Sequence, residues 1–312
     1  MFWHRWALKS RYKQWMAPLF RIQGSIHSVG QLDLWSQAFG SPSHPAILLL
    51  MGGGCQGILW TDSFCQSLAL EGFFVIRFDH RDTGLSSYTN QPYTLLDLGD
   101  DALGLLTALG CTKAHLVGTS MGGMIAQLLA AHHPERVETI TLLSTTKDLE
   151  GVLCALQGMK KKTRLSLPTS ACFDWMDSLQ RLPPRALFKK IRKHFQGWKI
   201  LNGPDAFFDR VFYGRLFCQS LLRQRSYEAP LRHVQALAAS CELLQRAQEK
   251  IRVPTLVIHG EKDPLFPKDH AEALAGSIQG SKLCLIESMG HNLTPCFYPL
   301  ILQRIVSFLK EH

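Results

Sequence analysis

The sixteen residues from His115, HLVGTSMGGMIAQLLA, constrain this chain more than any other stretch. An apolar run ends in a serine flanked by glycines, and a helical pattern starts at the very next residue. Gly118 and Gly122 stand where a sharp strand-to-helix turn brings two backbone segments too close for a side chain. Such a turn lifts the Ser120 hydroxyl clear of a sheet. It also aims the Met121 N–H, at the start of the helix, toward the place where an oxyanion would form, helped by the helix dipole. Phosphate binding fails on spacing here, because no GxGxxG surrounds Ser120 and no Gly-Lys-Ser/Thr closes a P-loop.

A serine hydroxyl is a weak nucleophile until a base takes its proton, and the base needs a third group to hold its tautomer. Downstream, TLVIHGEKDPLFP ends a predicted strand and places Asp263 in the following loop. LIESMGHNLTP ends the next strand and places His291 in its loop. Serine, aspartate and histidine thus follow in one chain order, each just past a strand. Asp263 before Pro264 also reads as a turn former, Glu261 is a competing carboxylate, and His259 is the other histidine at a strand end.

The rest of the chain supplies a frame for those three loops. AILLLMG, FFVIRFD, AHLVGTS, VETITLLST and TLVIHG are short, branched and apolar on both faces, as parallel strands covered by helices should be. Helical stretches separate the early ones, at Thr61 to Glu71, Thr94 to Leu109 and Met121 to His133. With 312 residues, 46% of them hydrophobic, there is enough apolar surface for one large α/β domain with an insertion. Right-handed crossovers place the functional residues at the carboxyl ends of the strands.

The alternation breaks after Thr146, and for about a hundred residues the chain is basic, aromatic and helical. LPPRALFKKIRKHFQGW opens on Pro183 and Pro184, and Phe188, Ile191, Phe195 and Trp198 recur at helical spacing. Residues 147–250 are therefore expected to form a helical cap on a core made of 31–146 and 251–312, behind a basic, aromatic extension at 1–30. The formal charge of +9 sits mainly on the extension and the cap, leaving the remainder net acidic. In the cap, Lys189, Lys190, Arg192 and Lys193 lie opposite Phe188, Ile191 and Phe195. In the extension, Arg5, Lys9 and Lys13 form an i, i+4 stripe. An ordinary lid helix accounts for the first, and weak peripheral contact with anionic lipid is the alternative reading of both. No nucleic-acid reading module accompanies the charge, so no nucleic-acid partner is expected.

Nine scattered cysteines, with neither a CxxC pair nor a zinc-ligand spacing, read as thiols in a reducing compartment. The N-terminus lacks the continuous apolar run of a secretory signal, and no stretch of about 18 uncharged apolar residues spans a membrane. The expected location is the cytoplasm.

Together, LLLMGGG, VIRFDHRDTGLSS, GTSMGGMIAQLL and VPTLVIHGEKDP resemble the α/β-hydrolase fold, most closely serine esterases of the aclacinomycin methylesterase type. The resemblance covers roughly residues 31–146 and 251–292. It implies a mostly parallel, doubly wound sheet with an inserted helical cap, and catalysis by Ser120 as nucleophile, Asp263 as orienting acid and His291 as general base. The oxyanion hole would be the N–H groups of Gly53 and Met121, with Gly52 and Gly54 close behind as alternatives to Gly53. FDHRDTGLSS is expected to build a loop near the site, with Asp79 only a minor candidate for chemistry. A serine at the elbow implies an acyl-enzyme and hydrolysis of a small, apolar or aromatic ester, with no metal or organic cofactor. The cap aromatics Phe173, Trp175, Phe188, Phe195, Trp198, Phe207, Phe208, Phe212, Tyr213 and Phe217 would suit such a substrate, or simply pack the cap. The same triad would also serve acyl transfer, perhydrolysis or carbon–carbon bond hydrolysis. The other class left open is a small-ligand receptor with little turnover.

Overall fold

A computed structural model describes residues 23–156, 164–180 and 187–312. The stripe of Arg5, Lys9 and Lys13, the residues Pro183 and Pro184, and the side chains of Phe188 and Lys190 lie outside what it describes. Eight strands form one sheet, β1 Ser25–Val29, β2 Leu32–Phe39, β3 Ala46–Leu50, β4 Phe74–Phe78, β5 Ala114–Thr119, β6 Val137–Leu143, β7 Thr255–Gly260 and β8 Lys282–Ile286, in the order β1-β2-β4-β3-β5-β6-β7-β8. From β4 to β8 all neighbours are parallel.

Helices cover both faces, and the period of two along each strand decides which residue meets which layer. In β3, Ala46, Leu48 and Leu50 pack into one cluster and Ile47 and Leu49 into the other. The first cluster includes α2 Leu95–Ala108 and α3 Met121–His132, and the second lies under α1 Asp62–Leu70 and the C-terminal Tyr298–Lys310. Local signals set the helix starts. The Thr61 hydroxyl accepts from the Phe64 amide, and Thr94 and Asp97 form a reciprocal capping box.

The sheet starts at Ser25, earlier than the expected core boundary at residue 31. Strands β1 and β2 form an antiparallel hairpin with Val29 opposite Leu32, so Gly30 and Gln31 make the turn, Gly30 at φ +57°. A glycine in a two-residue loop between apolar residues is the hairpin signal the sequence carries there. The extension hides it, because half-exposed edge strands lack the continuous apolar runs of the central ones.

Between β6 and β7 lie α4 Glu150–Leu156, α5 Ser170–Gln180, α6 Leu187–Leu201, α7 Arg210–Arg223, α8 Arg232–Ala239 and α9 Cys241–Ala247. Six of the cap aromatics, Phe195, Trp198, Phe208, Phe212, Tyr213 and Phe217, pair with one another, while Phe207 is exposed. Phe195 meets Phe208 and Phe217, Trp198 meets Tyr213 and Phe217, and Phe208 stacks on Tyr213 at 4.5 Å. Val152 of α4 joins the core cluster of the sheet domain, and helices α8 and α9 do so more extensively. Their Ala236, Leu244 and Ala247 join the core cluster beside α3, so this end of the insertion packs as part of the sheet domain.

Candidate active site

Ser120 follows β5 and precedes α3 with φ +53° and ψ −120°, a conformation that L-residues adopt only when their surroundings impose it. The two flanking glycines show why. A Cβ on Gly118 would run into the Gly122 carbonyl, and one on Gly122 would run into the Leu50 carbonyl of β3. The Ser120 amide is held by the Leu143 carbonyl at 2.9 Å, and its own carbonyl accepts from the Thr145 hydroxyl at 2.7 Å. The Met121 N–H opens α3, where a helix has no acceptor of its own to offer.

Asp263 follows β7 and is buried. Its Oδ1 accepts from the Leu265 and Phe266 amides at 2.8 and 2.9 Å, a turn closed by the aspartate itself. Its Oδ2 lies 2.8 Å from His291 Nδ1 and 3.5 Å from His259 Nε2. Burial alone would raise this carboxyl, but the two histidines and the Phe266 amide hold it below the ordinary carboxylate range. Glu261 is exposed, so the competing carboxylate is not the one beside His291. His259 is turned away from chemistry. Its Nε2 lies 2.7 Å from the Phe266 carbonyl, and burial lowers its basicity.

His291 follows β8, with Phe266 against its ring at 5.5 Å. Its backbone is seated on the cap, a contact no local signal in the sequence announces. The His291 and Asn292 amides both donate to the Leu201 carbonyl, at 2.7 and 3.2 Å, and the Asn292 side chain donates to the Trp198 carbonyl at 2.8 Å. These acceptors belong to the last turn of α6, where the Trp198 carbonyl also accepts from the Asn202 amide at 3.0 Å. Gly290 passes so close to Asn202 and Gly203 that a Cβ would overlap the Asn202 backbone.

The glycine loop after β3 lies against the elbow. A Cβ on Gly52 would stand 3.3 Å from the Ser120 Cβ, and one on Gly53 would stand 3.5 Å from Met121 Sδ. The Gly54 amide already donates to His233 Nδ1 at 2.9 Å, which leaves Gly52 and Gly53 as candidates for the oxyanion. Gly52 is buried and Gly53 exposed.

Asp79 has a different set of partners. It accepts from the Gly57 amide at 2.8 Å, the Leu85 amide at 2.9 Å and the Arg223 guanidinium, all in the interior. Gly84 leaves it room, since a Cβ there would overlap the carboxylate. Arg223 stacks 3.9 Å over the Trp35 ring and donates to Gln56. Nearby, Asp82 takes a bidentate contact from Arg232, both distances 2.8 Å. FDHRDTGLSS is thus the seam on which α7 and α8 are fastened. Among the described residues, no group of three His, Cys, Asp or Glu stands close enough to hold a metal ion. None of the described helices is long and apolar enough to cross a membrane.

Comparison with known proteins agrees with this architecture. Residues 45–294 match the family model described as alpha/beta hydrolase fold. The chain is 33% identical over 274 residues to rhodomycin D methylesterase DnrP from Streptomyces peucetius, covering 84% of this chain and 90% of that one. It is 27% identical to monoacylglycerol lipase abhd6-A from Xenopus laevis, over 94% of this chain and 83% of the other. Among solved structures, a hydrolase from Pseudomonas aeruginosa PA01 aligns with TM-score 0.70 at 26% identity, over 92% of this chain and 98% of that chain.

Proposed function

Since this chain belongs to the alpha/beta hydrolase fold family, we propose that it hydrolyses a small carboxylic ester through an acyl-enzyme on Ser120. The observation that carries this reading is the 2.8 Å contact between Asp263 and His291, two strand ends along from an elbow that forces Ser120 to positive φ. In this reading His291 Nε2 takes the Ser120 proton as Oγ attacks the acyl carbonyl. Gly53 and Met121 N–H groups hold the oxyanion. The imidazolium then gives its proton to the leaving alkoxide. In the second half, His291 takes a proton from water, the hydroxide attacks the acyl-enzyme, and Ser120 leaves with its proton restored. Asp263 accepts the Nδ1–H throughout, which fixes the tautomer that leaves Nε2 free to act as a base.

Small alkyl esters, methyl esters first, are the substrate class to test. Two methylesterases are 33% and 34% identical to this chain, and Met121, Leu237 and Pro230 put apolar atoms beside the glycine loop. The cap aromatics packed on one another support no aromatic preference by themselves. The test is fluorophosphonate labelling together with turnover of p-nitrophenyl and methyl esters by wild type, Ser120→Ala and His291→Ala. Labelling at Ser120 with turnover in wild type alone is expected. Labelling that survives Ser120→Ala would overturn the elbow as the reacting centre.

A further inference from the structure

A histidine that the proposed chemistry does not use closes the other side of the glycine loop. His233 lies on α8 with no exposed surface, more than a hundred residues from the loop it touches. Its two ring nitrogens face groups of opposite character. The Gly54 amide can only donate, and it lies 2.9 Å from Nδ1. The Arg81 carbonyl can only accept, and it lies 2.9 Å from Nε2. Only the neutral ring with its proton on Nε2 satisfies both. An imidazolium would set a donor against the Gly54 donor.

The loop needs such a clamp. Gly52, Gly53 and Gly54 in succession have more backbone freedom than any other tripeptide, and Gly54 is held at φ +69°. One end is tied by the Cys55 amide, which donates to the Gly52 carbonyl at 3.2 Å, and the other by His233. A peptide group is planar, so fixing the direction of the Gly54 N–H also fixes the Gly53 carbonyl on the opposite side. Leu237, one helical turn beyond His233, approaches Gly53 from the same face of α8.

The helix is itself held. Arg232, the neighbouring residue, makes its two contacts to Asp82, which also accepts from the Tyr93 hydroxyl at 2.8 Å. His80 and Tyr93 stand edge-on to the His233 ring at 6.1 and 6.2 Å. Burial lowers the basicity of His233, and Arg81 and Arg232 oppose protonation further, against the pull of Asp82 and the Arg81 carbonyl. Burial and these cations thus favour the neutral ring that the two contacts require.

We propose that His233 is a positioning residue that holds the glycine loop in the conformation in which Gly53 donates to the oxyanion. This rests on the ester-hydrolysis reading above. It separates the two nitrogens in a testable way, because Asn places its carbonyl oxygen near the Nδ1 position and Gln places its amide near Nε2. His233→Gln keeps the Arg81 contact and loses Gly54, while His233→Asn does the reverse.

The experiment measures kcat and KM with p-nitrophenyl acetate and inhibition by an aryl trifluoromethyl ketone, which forms a tetrahedral adduct on serine. It is run on wild type and both variants, at a temperature where near-ultraviolet dichroism shows all three folded. For His233→Gln, kcat is expected to fall about 10²-fold with KM little changed and ketone inhibition weakened in parallel. His233→Asn recovers most of that loss. Equal losses in both variants, or a loss carried by KM, would overturn the proposal. Nitrogen-15 spectra of histidine-labelled wild type give a second readout that depends on no variant. An Nε2–H tautomer for His233 at neutral pH supports the clamp, and an Nδ1–H tautomer or an imidazolium sinks it. If wild type labels with fluorophosphonate yet turns over no ester, the ester reading fails, and the variants' labelling rates at Ser120 still decide the role of His233.

Discussion

Asp263 and Asp79 are two buried carboxylates at strand ends of the same sheet, each accepting two backbone amides. They differ in the side chain that faces Oδ2. Asp263 faces a histidine, which can gain and lose a proton at its far nitrogen. Asp79 faces Arg223, which keeps its proton at every pH a protein survives. The first arrangement can pass a proton onward and the second can only hold parts together. Geometry of the carboxylate alone does not separate the two arrangements; the chemistry of its partner does.

The comparison breaks most visibly at Asp263. Replacing it by Asn leaves shape and backbone contacts but presents His291 with an amide that stabilises the wrong tautomer or none. We expect kcat on the best ester to fall about 10⁴-fold while the thermal midpoint moves only slightly. Stopped assays and differential scanning calorimetry on one preparation would separate the two effects, and a large drop in midpoint with modest loss of rate would make Asp263 structural.

Removing the partner of Asp79 should do the reverse. Arg223→Met leaves a carboxylate uncompensated in the interior and removes the stack on Trp35, for an expected cost of about 3–5 kcal/mol in urea unfolding. Activity per folded molecule is expected to stay within a small factor of wild type. Replacing Asp79 and Arg223 together by Leu and Met should recover much of that loss, since the charge is then gone with its partner.

The smallest effect, taken per pH unit, comes from the buried histidines. Burial and the neighbouring His233 push His80 down to about 3, and burial also lowers His259. The unfolded chain binds protons at these histidines near pH 6.5 and the native protein does not, so stability is complete above that value. It declines as pH falls toward the folded values, by about 1.4 kcal/mol per pH unit for each such histidine. Asp263 is shifted in the same direction from a lower starting value, so its contribution is complete above about pH 3.9 and is lost as pH falls below it. Urea midpoints at intervals between pH 7.5 and 4.5 would show the decline. A flat profile would mean that the buried histidines find proton-accepting partners in the native state.

The parallel core is legible in the sequence because its strands are buried on both faces and so carry continuous apolar runs, as in Ala46–Leu50. The elbow is legible because its serine, its two glycines and the start of the helix stand within a few residues of one another, although the contact that requires Gly122 comes from β3. Strand ends point to Asp263 and His291, and the structure sets them 2.8 Å apart. The edge hairpin at Ser25–Phe39 is harder, since exposure on one side dilutes its pattern. Arg223 beneath Asp79, His233 behind Gly54 and Leu201 beneath His291 have no local signature at all. Each pairing joins residues far apart in the chain, and in each case the insertion supplies one partner to a loop of the sheet domain.

The seating of the His291 loop on the last turn of α6 has a mechanical meaning. Two backbone amides and one side chain tie the proposed base to Leu201 and Trp198, and the glycines at 203 and 290 let the two segments touch. An opening of the cap that swung this end of α6 outward would drag the imidazole away from Asp263 and disarm the enzyme. The junction thus makes the position of the loop that carries His291 depend on the docking of that helix end.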